Sequence, residues 1–110
     1  MARTAQGPTL YVAGQTPALP DGSVPDGAEA QTRVVLDKIE TILGEYGLGW
    51  SSVVRVTYYL CDIDDAPAMR TAVLEQLPDP KPTSTLLVVK GLMDSRFLVE
   101  IDAVADLSGV

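Results

Sequence analysis

Two carboxylates, Glu100 and Asp102, interrupt the apolar run FLVEIDAVA at positions 97–105. Spaced by two, they fall on one face of a strand, their Cα atoms about 7 Å apart. An ionised side chain is costly to bury unpaired. Glu100 therefore calls for a solvated rim, a cation such as Arg96 or Lys90, or a cleft in which it handles protons. Paired carboxylates serve glycoside hydrolysis, but no sugar-stacking aromatics accompany these two, and Asp102 reads as structural. The chain contains no histidine, which removes Ser-His-Asp and Cys-His catalysis and the usual zinc sites. Proton transfer is left to a carboxylate, Tyr, Lys, the thiol or water.

Other chemistry-bearing residues are fewer. Thr83 and Ser84 open the run KPTSTLLVV; strand-end hydroxyls usually satisfy backbone groups, and neither is a nucleophile without a base. Cys61 stands before Asp62, Asp64 and Asp65, neighbours of the wrong charge to favour a thiolate, and reads as inert. The same acidic cluster lacks the loop glycine and distal glutamate of a calcium site, so helix capping by Asp64 or Asp65 is the better account. Gln15 is a ligand contact or a loop cap. Tyr11, Tyr58 and Tyr59 are strand aromatics, more often packing than proton donors.

These residues need elements to hold them. Gly7-Pro8 reads as a turn between extended runs Ala2–Gln6 and Thr9–Ala13, a β-hairpin. Thr16–Gly27, with its Pro residues and two Asp-Gly pairs, is a loop. Apolar residues at 35, 36, 39, 42, 43 and 46 form the stripe of a helix from Ala28 to Tyr46, with Gly47 as its stop. Val53–Leu60 is a β-branched and aromatic strand. A helix runs from Ala66 to Leu77, with Pro67 in its first turn. Strands Thr83–Val89 and Phe97–Ala105 follow. The order is ββαβαββ, a mixed sheet with two helices on one face. Val54, Val56 and Leu60 lie opposite Val53, Thr57 and Tyr59, so both faces are apolar. Two helices cover one; another copy of the chain is expected to cover the other.

The 110 residues make a single domain, 46% hydrophobic, with 8 basic against 15 acidic residues and a net charge of −7. That charge repels phosphate backbones and anionic lipid, which argues against nucleic-acid and membrane partners. No apolar run reaches the ~20 residues of a membrane helix. The N-terminus lacks a secretory core. The single cysteine fits a reducing cytoplasm.

The strings YVAGQTP, AEAQTRVVLDKIETILGEYG, VVRVTYYLCDIDD and VEIDAVA, in this order, resemble the RidA/YjgF family of reactive-intermediate deaminases, from about Ala2 to Ala105. The resemblance implies a chorismate-mutase-like α+β fold, a homotrimer with clefts between subunits, no metal or cofactor, and hydrolysis of small enamines and imines such as 2-aminoacrylate to keto acids and ammonia. It implies a catalytic role for Glu100 and cleft positions for Thr83, Ser84, Arg70, Gln15 and Tyr11. Family members carry an arginine in a Pro-x-Arg-Ser/Cys stretch that clamps the substrate carboxylate. Aligning KPTST with it puts Thr83 at the arginine's place and Ser84 at the Ser/Cys position. The serine usually preceding Gly-Gln is Ala13, and the asparagine beyond the acidic cap corresponds to Arg70. Arg70 is then either a solvated charge paired with Asp65 or Glu75, or a replacement for the lost arginine. Two functions follow: deamination of an imine other than 2-aminoacrylate, or a non-catalytic small-molecule-binding trimer. Some relatives are described as ribonucleases, which the charge and the missing histidine make unattractive.

Overall fold

The computed structural model describes residues 2–108. Its elements are β1 (Thr9–Gln15), α1 (Ala28–Glu45), β2 (Val53–Leu60), α2 (Ala66–Gln76), β3 (Thr83–Val88) and β4 (Val99–Asp106). The strands form one sheet in the order β1-β4-β2-β3. β4 pairs antiparallel with β1 and with β2, while β2 and β3 run parallel. The sheet is mixed, as expected, because α2 returns the chain in the same direction between β2 and β3, and a parallel pair needs such a crossover.

Alternation along β4 sets the layers. Val99, Ile101, Ala103 and Ala105 are buried, while Glu100, Asp102, Val104 and Asp106 are only half-buried. Val35, Leu36, Ile39 and Leu43, the stripe of α1, pack with the buried set, with Val12, Val56, Tyr58 and Leu60, and with Met69 and Ala72 of α2. Gly47 ends α1 at φ 73°, a conformation only glycine adopts at little cost, and the Leu48 amide reaches back to the Leu43 carbonyl at 2.9 Å. A short 3₁₀ turn over Ile63–Asp65 leads into α2, and its cap is Asp62, whose carboxylate accepts the Asp64 amide at 2.9 Å. Asp65 stands at the N-cap position of α2 but makes no side-chain cap bond, so the capping expected of Asp64 or Asp65 is not made, and Asp62 caps only the 3₁₀ turn before the helix.

Two further expectations need correction. Ala2–Gln6 is not a strand, and the chain opens with a single strand rather than a hairpin. At its end the chain is braced elsewhere: the Gln6 and Gly7 amides donate to the Asp106 carboxylate at 3.0 and 3.1 Å, joined by that of Ser108 at 2.9 Å. Arg3 reaches the carbonyls of Lys81 and Ser51 at 3.1 and 3.4 Å. In β2, Val53 faces the helices with Val56 rather than lying opposite it. The register slips between Val53 and Arg55, where two steps on β2 match one on β4, and such a bulge reverses the alternation behind it.

The Asp106 brace carries a pH dependence. The Gln6 amide above all, then that of Ser108, holds this carboxyl down from 3.8 to about 2. A lowered value in the folded state means the brace is intact above about pH 3.8 and is lost as the pH falls through about 2. Hydrogen-exchange protection at Gln6 and Gly7 is expected to drop over that window. Protection that stays level, or that survives Asp106→Ala at neutral pH, contradicts the assignment.

The sheet face away from the helices is uncovered in the single chain. It presents Tyr11, Arg55, Thr57, Tyr59, Asp102 and Val104 around a shallow depression. Tyr11 is 77% exposed, and Leu87 on the edge strand β3 is 45% exposed.

Candidate functional site

Glu100 lies on this open face, directly across the ladder from Tyr59. What seats it is an irregularity in β1. Between Val12 and Gln15 the pairing with β4 skips a residue, so Ala13 and Gly14 together oppose Asp102. Glycine at the bulge leaves room for the Glu100 side chain to lie on the β1 backbone. A β-carbon at Gly14 would sit 2.9 Å from Cδ of Glu100 and 3.2 Å from Cγ. A glycine inside a strand marks such a close approach, the one sequence signal that pointed to this contact.

The cations nearest in sequence do not neutralise Glu100. Arg96 instead pairs with Asp94 at 2.8 Å, and its hydrogen bond holds the Asp94 carboxyl down to about 2. Among the described residues Glu100 takes part in no ion pair and accepts no hydrogen bond. Asp102 is engaged: it accepts the Tyr59 hydroxyl at 2.8 Å. That bond raises the Tyr59 pKa, so the phenol stays a donor to Asp102.

Gly14→Ala is accordingly expected to displace the Glu100 carboxylate while leaving the fold intact, since the clash is with the far end of a flexible side chain. Stability should change by less than about 1 kcal/mol, whereas any reaction that uses Glu100 should slow at least tenfold. Thermal melts and steady-state rates separate the two effects.

On the helix side, a cavity of about 330 Å³ opens between α2 and the β2–β3 edge. Its walls are Met69, Val73, Leu74, Leu77 and Leu86, with Tyr58, Arg70, Lys81 and Ser84 supplying polar atoms. The Pro82–Ser84 stretch delivers Ser84 here because β3 runs beside β2 with Val56 opposite Ser84 and Tyr58 opposite Leu86. Thr83 points the other way, opposite Arg55, and its hydroxyl is committed to the Val54 carbonyl at 2.6 Å. The match of Thr83 to the family arginine also shifts by one residue: counted along Pro-x-Arg from Pro82, the arginine's place belongs to Ser84.

Arg70 makes no ion pair among the described residues, because Glu75 is drawn to Arg33 at 2.7 Å. That hydrogen bond raises the Arg33 pKa. Lys81 is engaged, its Nζ donating to the Leu77 carbonyl at 2.6 Å and pairing with Asp79 at 3.1 Å. Burial pushes the Tyr58 phenol up to about 12, so it is neutral and can donate. Gln15 donates to the Ala13 carbonyl at 2.9 Å and borders a separate groove with Leu19 and Lys38.

One chain thus brings together Arg70 and Ser84 in one cavity, puts Glu100 and Tyr11 on the same open sheet face but four residues apart along β4, since Tyr11 opposes Val104, and leaves Thr83 and Gln15 in neither place. Tyr58 as a cavity donor and Gly14 as the seat of Glu100 were not read from sequence. Nor was Gln31, which is buried within AEAQTR. Its amide donates to the Pro25 and Arg96 carbonyls at 3.0 and 2.9 Å and accepts the Leu98 amide at 2.7 Å, tying the loop before α1 to the entry of β4. Cys61 contacts the Phe97 carbonyl at 3.5 Å. Among the described residues no cluster of three or more Cys, Asp or Glu side chains is suited to a metal ion, and no helix is long and apolar enough to cross a membrane.

A protein-family model described as Endoribonuclease L-PSP matches residues 2–107. The protein mmf1, mitochondrial, of Schizosaccharomyces pombe is 34% identical over 87% of this chain, which spans only 60% of that protein's length. A RutC family protein of Pyrococcus abyssi is 35% identical over 87% of the chain and 76% of its own length. Among solved structures, RidA from a Psychrobacter species superposes with a TM-score of 0.85 at 25% identity, covering 94% of this chain and 84% of that one. The YjgF gene product of E. coli superposes at 0.81 with 26% identity, covering 94% and 84%.

Proposed function

Since the chain belongs to the RidA/YjgF family, we propose that it hydrolyses a small imine or enamine to the carbonyl compound and ammonia. The reaction consumes one water. The enamine is protonated at carbon to give the imine, water adds across C=N, and the carbinolamine expels ammonia as the C=O bond forms. Glu100 is the group to move these protons, and the observation that carries the reading is its carboxylate seated on Gly14 without a partner among the described residues.

In one chain Glu100 and the Arg70 cavity lie on opposite sides of the sheet. The reading therefore needs a second copy whose Glu100 faces the cavity mouth, and a homotrimer with clefts at its seams supplies one. Support comes from the uncovered face bearing Tyr11 and from the exposed β3 edge with Leu87 and Val88. A reducing, cytoplasmic setting belongs to the same proposal and rests on the single cysteine; the S. pombe relative is named as a mitochondrial protein.

The competing reading is a small-molecule-binding trimer without chemistry, favoured by Ser84 at the arginine's place. RNA cleavage fits poorly: a net charge of −7 gives no electrostatic hold on phosphates. Purified protein supplied with enzymatically generated imines of increasing size, with ammonia followed over time, decides between catalysis and binding. Release that is catalytic and lost in Glu100→Gln supports the enzyme. No release at any size leaves the binder.

A further inference from the structure

The segment before β1 runs along one end of the sheet in the order of its strands. Gln6 and Gly7 sit on Asp106 at the end of β4. Arg3 then reaches Ser51, just before β2, and Pro80 and Lys81, just before β3. In the order β1-β4-β2-β3 these are successive positions across the sheet. The four residues from Gly7 to Arg3 span about 13 Å when extended, and the two strand spacings from β4 to β3 amount to about 10 Å, so the segment is long enough to cross. Its course depends on glycine at position 7, where a β-carbon would stand 2.7 Å from the Ser108 Cα.

What Arg3 meets is a connector short of donors. Three of the six residues in LPDPKP, 77–82, are proline and have no amide hydrogen to give. Such a stretch cannot brace itself through its own backbone, and cationic side chains supply the donors instead. Lys81 Nζ donates to the Leu77 carbonyl at 2.6 Å, and Arg3 Nη1 donates to the Pro80 and Lys81 carbonyls at 3.3 and 3.1 Å. Arg3 Nη2 meanwhile donates to the Ser51 carbonyl at 3.4 Å. One planar guanidinium thus joins the entries of β2 and β3. β3 is an edge strand paired only with β2, and a slip of one residue at its start would exchange the side chains on its two faces.

We propose that Arg3 is a positioning residue: by bridging the connector before β3 to the turn before β2, it fixes the start of β3 and holds Lys81 and Ser84 on the cavity wall. The positioning stands on the fold alone; its effect on turnover rests on the deaminase reading. Lysine does not replace it, because a single ammonium reaches one side of the bridge where the forked guanidinium reaches both.

Amide hydrogen exchange on the whole chain, resolved by residue, tests the proposal. Arg3→Ala should speed exchange at Lys81 and over Thr83–Thr85 about tenfold, the worth of a hydrogen bond from a charged donor, while Leu36 and Ile39 in α1 stay within about twofold. Arg3→Lys should behave within about threefold of Arg3→Ala. Gly7→Ala keeps Arg3 but lifts the segment off Ser108, and should speed exchange at the same β3 amides. Unchanged exchange at the β3 entry in Arg3→Ala, full protection in Arg3→Lys, acceleration spread equally into α1, or a Gly7→Ala effect that stops at Ser108 overturns the proposal. With the size series of enzymatically generated imines as probes, Arg3→Ala should raise KM about fivefold and leave kcat within about twofold, since Glu100 lies across the sheet from the cavity. A lowered kcat at unchanged KM overturns the positioning role. A parent that turns over no imine defeats deamination, and the exchange pattern then still decides the positioning.

Discussion

Glu100→Gln is expected to lower imine turnover by about 100- to 10,000-fold, the range that a positioned acid–base group contributes, while the protein melts within about 0.5 kcal/mol of the parent. The substitution preserves shape and removes only the proton-handling charge. Stability should hold because the side chain is half-buried on the open face and bonded to nothing there among the described residues, so no partner is orphaned by the change. A rate reduced less than about fivefold means that water attacks without this carboxylate and that Glu100 is a rim charge. Sedimentation of the parent belongs beside the rate measurement: a monomer at working concentration removes the shared cleft, because one chain keeps Glu100 and Arg70 on opposite sides of its sheet.

Leu36→Ala should have the largest effect on stability, a loss of about 2–5 kcal/mol. Leu36 has no exposed surface and sits where α1 meets the sheet. The substitution forfeits the transfer of its methyl and methylene groups and leaves a void that Ile39, Leu43 and the Ala103 strand face cannot fill without moving α1. Against the 5–15 kcal/mol typical of a domain, such a loss lowers the melting temperature by roughly 10 °C or more. Leu74→Ala is the control, a leucine 53% exposed on α2, expected to change stability by less than about 1 kcal/mol. Because association stabilises apparent folding by mass action, both variants are compared at equal protein concentration. Equal melting of Leu36→Ala and Leu74→Ala would show that α1 does not bury the face assigned to it.

Much of the fold was legible because its signals are local. Val35, Leu36, Ile39 and Leu43 repeat at helical spacing, and Gly47 takes the positive φ that a helix stop requires. The alternation of Val99, Ile101, Ala103 and Ala105 with Glu100, Asp102 and Val104 announces a strand with two unlike faces, and the structure buries the first set as that pattern demands. The misread segments are those whose fate lies with distant residues. Ala2–Gln6 has extended character, but the Gln6 amide at its end goes to Asp106, a hundred positions away in sequence, rather than to a neighbouring strand. Val53 changes faces because β4 imposes a bulge on β2, which no count along Val53–Leu60 reveals. Thr83 and Ser84 are adjacent, and a slip of one position sends a side chain to the other side of the sheet; only pairing with β2 decides that Ser84 enters the cavity.

By itself the sequence determined the helices, the four strands that pair, the acidic charge and the absence of histidine, for these follow from residue types and short-range periodicity. The tertiary structure alone decided that Gly14 lies against the Glu100 side chain, that Tyr58 and Arg70 line one cavity, and that Glu100 and this cavity lie on opposite sides of the sheet. The physical reason is that burial, hydrogen-bond vacancy and facing are properties of contacts between segments far apart in the chain, and such contacts exist only once the sheet has chosen its register.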